Sequence, residues 1–203
     1  MQKSLPIIIG ITGASGSIYA FKLIEFLLNN DYKVHIIIST NSFTIIDREL
    51  KLSLSYNSEE NKELIINYLK IDEKYNNLTV LSNDNIAAGI ASGSYITNGM
   101  IIIPCSMNTL ASIKSGIANS LITRVADVCI KQNKNLLLAP REMPLSSIHL
   151  ENMYSLSLKG VKIAIPSPAF YNDPQSIDDM INFVTGKILD SFEVPNDLYK
   201  RWE

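Results

Sequence analysis

Near its start the chain reads "IIIGITGASGSIYAFKLIEFLLNN", with three glycines where an apolar strand gives way to a helix-patterned run. Gly10, Gly13 and Gly16 are spaced G-x-x-G-x-x-G. This is neither the G-x-G-x-x-G of dinucleotide folds nor the phosphate loop G-x-x-x-x-G-K-[ST], since no Lys follows Gly16. A dinucleotide site also wants an acidic residue about 20 residues on, at the end of the second strand. That strand ends "IIISTNS", where Ser39 and Thr40 offer hydroxyls and no carboxylate. The pattern argues against NAD and fits a mononucleotide or a flavin. Thr12 and Ser15 add hydroxyls beside the N–H groups of a helix start, a natural place for an anion or a polar ring edge. The alternative is that the glycines merely turn a tight corner.

Three further corners carry polar groups. In "MIIIPCSMNTLASIKSG", Pro104 ends a strand, and Ser106, Asn108 and Thr109 stand where the next helix begins. They are caps or a lysine-free phosphate cradle. In "LLLAPREMPLSSIHLENM", Arg141 and Glu142 lie between Pro140 and Pro144, as a site on a stiff loop or as a surface ion pair. In "IAIPSPAFYNDPQSIDDM", Tyr171 precedes a helix start signalled by Asp173-Pro174 and by Ser176 with Asp179. The run "AAGIASGSY" would let backbone approach a ligand closely.

The elements that must position these corners follow from hydrophobic patterning. Apolar runs of strand length recur at 7–11, 34–38, 78–81, 100–103, 136–139 and 161–165, with helix-patterned segments between most of them. Strands apolar at almost every position suit a parallel sheet covered on both faces. The expected fold is α/β, a doubly wound Rossmann-like (flavodoxin-like) parallel sheet flanked by helices, in one domain over residues 1–203. The polar stretch from Ser53 to Asn77, around a short helical pattern of Leu64, Ile65, Tyr68 and Leu69, reads as a peripheral surface excursion. The tail "VPNDLYKRWE" either packs back or reaches a neighbouring subunit.

Composition narrows the function. No apolar run approaches the roughly 18 residues of a membrane span. The start lacks the longer apolar region of a secretory signal, so a cytoplasmic location is expected. With 18 basic and 20 acidic side chains the net charge is −2, and no basic block suggests a nucleic-acid partner. Cys105 and Cys129 sit in apolar patterns and read as buried free thiols. His35 and His149 lack ligand-spaced companions and read as structural, and no G-x-S-x-G supports a serine hydrolase.

Together "GITGASGSIYA", "PCSMNTLASI" followed by "LITRVADVCIKQ", "PREMPLSSIHLENM" and "PAFYNDPQS" resemble the UbiX-type flavin prenyltransferases, from about Ile7 to Trp202. The resemblance implies joining of a dimethylallyl group from dimethylallyl phosphate to N5 and C6 of reduced FMN, without a metal. The prenylated FMN would serve a UbiD-type decarboxylase. It further implies that Gly13, Ala14, Ser15 and Ser39 contact the flavin, that Ser106, Met107, Asn108 and Thr109 hold its phosphate end, and that Arg141 binds it from the third corner. Arg124 matches a family arginine near the flavin. Lys131, Tyr171 and Lys187 would surround the prenyl phosphate. Glu142, Ser15 and Glu49 would handle protons. Homo-oligomers up to dodecamers are implied, with sites at subunit contacts. Lys187 stands where some members carry Arg, and Asn85 where some carry an aromatic residue. Rival readings are an FMN-dependent decarboxylase of peptidyl-cysteine or phosphopantothenoylcysteine type, and an FMN carrier without chemistry.

Overall fold

Strands that are apolar on both faces must be covered on both faces, and the architecture follows from that demand. The computed structural model describes residues 1–201; Trp202 of the tail lies outside them. The chain order is β1 (Ile7–Ile11), α1 (Ser17–Asn29), β2 (Val34–Ile38), α2 (Thr40–Leu50), α3 (Ser58–Leu69), β3 (Leu78–Ser82), β4 (Gly99–Cys105), α4 (Met107–Lys114), α5 (Leu121–Lys131), β5 (Leu136–Pro140), α6 (Ser147–Ser157), β6 (Lys162–Ile163) and α7 (Ile177–Ser191). The strands form one parallel sheet in the order β3-β2-β1-β4-β5-β6.

Alternation along each strand sorts the core into two layers. Ile7, Ile9 and Ile11 of β1, with Val34, Ile36 and Ile38 of β2, pack under α1, α2, α3 and α7. Ile8, Ile37, Met100 and Ile102 face α4, α5 and α6 on the other side. Gly10 belongs to this second face: a Cβ there would meet Met100 Cε at 3.1 Å and Ile122 Cγ2 at 3.5 Å, so its bareness lets α5 settle on the sheet. The expected α/β doubly wound sheet is thus what the chain forms, and its strand order reverses direction between β1 and β4.

Three expectations need correction. The stretch from Ser53 to Asn77 is no surface excursion: it holds α3, whose Ile65 and Ile66, with Ile71 just beyond, are buried in the first core layer. Its polar character reflects a helix with one inward stripe over an edge strand. Pro104 does not end β4, which continues to Cys105. A register shift against β5 between Ile102 and Cys105 accommodates a residue without an N–H. The last strand is only Lys162–Ile163, and Ile165 is exposed. In the run "AAGIASGSY", Gly89 faces open space, whereas Gly93 faces the Gln132 side chain and Lys134 Nζ donates to the carbonyls of Gly93 and Tyr95.

Other expectations are met. Both cysteines are free and buried. Burial pushes the Cys105 thiol far up and that of Cys129 to about 11, against the opposing charge of Lys134. Helix α7 begins at the Ser176/Asp179 capping box. His149 serves in the capping box of α6, with Ser146. The tail packs back as far as Arg201: Val194 is buried, and Tyr199, Asn196 and Arg201 all bond the Asp190 carboxylate.

The two central loops are tied by one hydroxyl. Thr12, 1% exposed, donates through both N (3.2 Å) and Oγ1 (2.8 Å) to the Pro104 carbonyl, while Oγ1 accepts the Ser106 N–H at 2.7 Å. Thr12→Val keeps the shape and orphans the Ser106 donor. It is expected to lower stability by about 1–3 kcal/mol in urea unfolding.

His35, on β2, lies 2.9 Å from Tyr95 Oη through Nε2, and its buried Nδ1 has no hydrogen-bond partner among the described residues. Burial first, then the charge of Lys33, hold its pKa below the usual 6.5. The unfolded chain therefore binds this proton more readily, and stability must fall as pH drops from about 6.5 through the lower folded value. Urea midpoints measured across that window should decline in the native protein and decline less in His35→Gln.

Candidate active site

Where the strand order reverses, loops after β1 and β4 turn to opposite faces and leave a crevice beyond the carboxyl ends. A cleft of about 450 Å³ opens there. Its wall takes Thr12 and Gly13 from the first corner, Ser39 and Asn41 from the second strand's end, and Asn83 from the third. Ser106, Asn108 and Thr109 come from the β4–α4 corner, and Asn119, Ser120 and Thr123 from the start of α5. Every lining side chain is uncharged.

Two helix N-termini, those of α4 and α5, converge on this space, so its positive potential comes from peptide dipoles. They are not equivalent. At α5 the Ser120/Thr123 capping box is complete, and Asn83 accepts the Leu121 N–H through its carbonyl (2.8 Å) and the Ile122 N–H through Oδ1 (3.1 Å). At α4, Ser106 Oγ takes the Thr109 N–H at 3.2 Å, but among the described residues the Met107 and Asn108 N–H groups have no acceptor. The α4 end therefore holds free donors for an anion.

Ser39 points to the same conclusion. Its N–H donates to the Ile11 carbonyl (2.9 Å), but its Oγ is buried with no hydrogen-bond partner among the described residues. A buried hydroxyl without a partner is costly, and a polar ligand in the cleft would satisfy it. A polar cleft with free amides at one end and an orphan hydroxyl on its wall fits a phosphorylated flavin. Among the described residues no cluster of His, Cys, Asp and Glu could hold a metal.

The residues expected in the site are thus divided. Gly13, Ser39, Ser106, Asn108 and Thr109 line the cleft. Ala14 is buried beside it in sequence, Ser15 is exposed on the same turn, and Met107 opens α4. Arg141 follows β5 next to this corner, its N–H donating to the Cys105 carbonyl at 3.2 Å. Glu142 is exposed and accepts the Met143 N–H at 3.1 Å. Arg124, one turn into α5, lies 3.6 Å from Asp127. Lys131 is exposed at the far end of α5, about 15 Å along the helix from the cleft. Tyr171 and Lys187 belong to a separate aromatic group: Tyr171 meets Phe183 edge-on, Phe183 meets Tyr199, and Lys187 Nζ lies over the Tyr199 ring at 5.7 Å. Glu49, exposed, binds the backbone of Gly16 and Ser17.

Asn41, Asn83, Asn119, Ser120 and Thr123 were not anticipated. Asn83 directly after β3 was the available signal, because an Asn at a strand's carboxyl end commonly caps a neighbouring turn. Thr12 lines the cleft, but its hydroxyl is consumed by Pro104 and Ser106 rather than offered to a ligand.

Comparison with known proteins agrees with this geometry. The Flavoprotein family model matches residues 1–189. Flavin prenyltransferase UbiX of Methanocaldococcus jannaschii is 41% identical over 198 residues, covering 98% of each chain. The crystal structure of AnUbiX (PadA1) in complex with FMN and dimethylallyl pyrophosphate superposes with a TM-score of 0.86 at 34% identity, over 98% of this chain and 97% of that one. The dodecameric FMN-dependent UbiX-like decarboxylase from Escherichia coli O157:H7 gives 0.86 at 38%, over 98% and 100%. Phosphopantothenoylcysteine-type and peptidyl-cysteine-type decarboxylase structures share the fold at 14–16% identity. With its cleft, strand order and near-full-length likeness in agreement, the chain belongs to the flavoprotein family, within its UbiX-type flavin prenyltransferases.

Proposed function

We propose that this chain is a flavin prenyltransferase that joins the dimethylallyl group of dimethylallyl phosphate to reduced FMN, making prenylated FMN for a UbiD-type decarboxylase. The observation that carries the reading is the uncharged cleft at the α4 N-terminus, with free Met107 and Asn108 amides and the orphan Ser39 hydroxyl, in a chain this similar to flavin prenyltransferases. The flavin supplies the nucleophilic ring atoms. Ser106, Met107, Asn108 and Thr109 hold its phosphate end, Gly13, Ala14 and Ser39 lie against the ring system, and Arg141 closes on it from the β5 loop.

The allylic phosphate needs cations and donors on its leaving oxygens, and their fixed charge lowers the barrier as negative charge builds there. Lys131, Lys187 and Tyr171 take that role, with Arg124 nearer the flavin. Glu142 and Ser15 hold and move protons beside the phosphate. A monophosphate leaving group demands less charge neutralisation than a diphosphate, so side-chain cations suffice.

The distance of Lys131 from the cleft supports a site completed where copies of the chain meet. So do the exposed apolar residues Met143, Ile148, Tyr154, Leu158, Phe170 and Ile177. The assembly we propose is a homo-oligomer, a dodecamer like that of the Escherichia coli relative. No helix among the described residues is long and apolar enough to cross a membrane. A cytoplasmic location is part of the proposal.

The decisive experiment is anaerobic incubation of the protein with reduced FMN and dimethylallyl phosphate, followed by mass spectrometry of the released flavin. A flavin heavier by one dimethylallyl group is expected. Unmodified FMN, from a protein that binds both ligands, would sink the reading. Glu142→Gln should bind FMN normally and lose turnover. Lys187→Ala should raise the KM for dimethylallyl phosphate with FMN affinity unchanged. Ser39→Ala should weaken FMN binding by about tenfold in fluorescence titration. The ligand-free variant should be no less stable than the native protein, because that hydroxyl bonds nothing within the chain.

A further inference from the structure

Asn83, at the carboxyl end of β3, is held from two directions. Its own turn is closed by Ser82, whose carbonyl accepts the Asn85 N–H at 3.2 Å and whose Oγ accepts the Asp84 N–H at 3.3 Å. From α5, the Leu121 N–H reaches the Asn83 carbonyl at 2.8 Å and the Ile122 N–H reaches Oδ1 at 3.1 Å. Only the oxygen of a side-chain amide can accept a backbone N–H, so the last bond fixes which way that amide lies. Nδ2 is left as an oriented donor.

Among the described residues Nδ2 has no acceptor, and it is not among the enclosed polar atoms that lack one. Asn83 is half-buried on the wall of the flavin cleft. It also borders a smaller hollow of about 90 Å³ between the sheet, α2 and α3, where Thr40, Phe43, Tyr56 and Asp84 lie. A donor turned away from the cleft would face that hollow instead.

The sheet sets how far Asn83 stands from the α4 cradle. Ser82 pairs with Ile38, Ile38 with Ile11, and Gly10 with Ile102, so β3, β2, β1 and β4 end in a row. Strands lie about 4.8 Å apart, which places the β3 corner about 14 Å across the sheet from the β4 corner. Ser39 lies between them, at the end of β2.

We propose that Asn83 is a flavin-binding residue with two duties: Oδ1 pins the start of α5, and Nδ2 donates to an acceptor atom of the flavin ring system. The proposal rests on the flavin reading of the cleft. With the phosphate end at α4, the sugar-alcohol chain passes Ser39 and the ring end comes to β3. A donor already held in place loses little freedom when the ring arrives, which favours affinity.

Two substitutions separate the duties. Asn83→Asp keeps an oxygen for the Ile122 N–H, adds a charge that suits a helix start, and removes the donor. Asn83→Ala removes both oxygen and donor. Each variant and the native protein are titrated by fluorescence with oxidised FMN and with riboflavin, which has the ring and lacks the phosphate. Asn83→Asp should lose about tenfold or more in affinity for both flavins, by the same factor. Its charge, about 14 Å from the phosphate, lies beyond the screening length of about 8 Å at physiological salt. Amide exchange at Ile122 should stay slow in Asn83→Asp and accelerate in Asn83→Ala.

Native affinity of Asn83→Asp for both flavins would overturn the proposal and turn Nδ2 toward the hollow. A loss confined to FMN would overturn it as well, because the effect would then be charge acting on the phosphate. Fast Ile122 exchange in Asn83→Asp would remove Oδ1 as the pin and with it the direction assigned to Nδ2. If the native protein binds neither flavin, the reading of the cleft fails instead.

Discussion

The bond on which the site depends is that of the Thr12 hydroxyl between the loops after β1 and β4. A doubly wound sheet opens a crevice at its reversal point because the two central connections leave on opposite faces. Nothing in the backbone ladder beyond Cys105 and Ile11 then fixes the distance between them. Thr12 does so with three hydrogen bonds at one buried residue, two through its hydroxyl and one through its backbone N–H. The Pro104 carbonyl, with two lone pairs, takes both Thr12 donors. The position of the Ser106 cap, and through it the direction of α4, follows from that contact.

How much of this was legible in sequence depends on the range of the physics. Strands β1 to β5 were readable to within two residues at each end, since a strand buried on both faces is apolar at nearly every position. The caps Ser106 and Ser176 were readable because a cap and its N–H lie three residues apart. The role of Asn83 was not, because its partners Leu121 and Ile122 reach it only when α5 docks. The same holds for Glu49, whose spacing from Gly16 has no local signature. The helical pattern of α3 was readable, but its burial was misread for a related reason. It covers an edge strand with few buried side chains, and its remaining surface meets solvent, so its polar residues outweighed Ile65 and Ile66. The chain's opening glycines were recognised as a site feature without their separate duties: Gly10 admits α5, and Gly16 adopts a left-handed backbone to start α1.

The cleft and the charged groups are spatially distinct within one copy of the chain. The cleft offers dipoles, hydroxyls and amides, which recognise an anion by geometry and cost little when it leaves. The lysines lie on outer helix surfaces, where their long side chains stay hydrated. Such a division suits a protein whose flavin must be taken up and later given away. A cradle of permanent cations would retain a dianionic phosphate more strongly than one of peptide dipoles.

The burial of the two cysteines has a consequence for self-preservation. A carbon that accepts a flavin's electrons as its phosphate departs is also open to attack by sulfur, and a thiolate is the most nucleophilic group a polypeptide carries at neutral pH. Cys105 lies at the carboxyl end of β4, one residue before the Ser106 cap, which makes it the thiol nearest the cradle in sequence. Full burial and a strongly raised pKa keep it protonated and enclosed. Burial thereby withholds this thiol from alkylation by an allylic electrophile in the cleft.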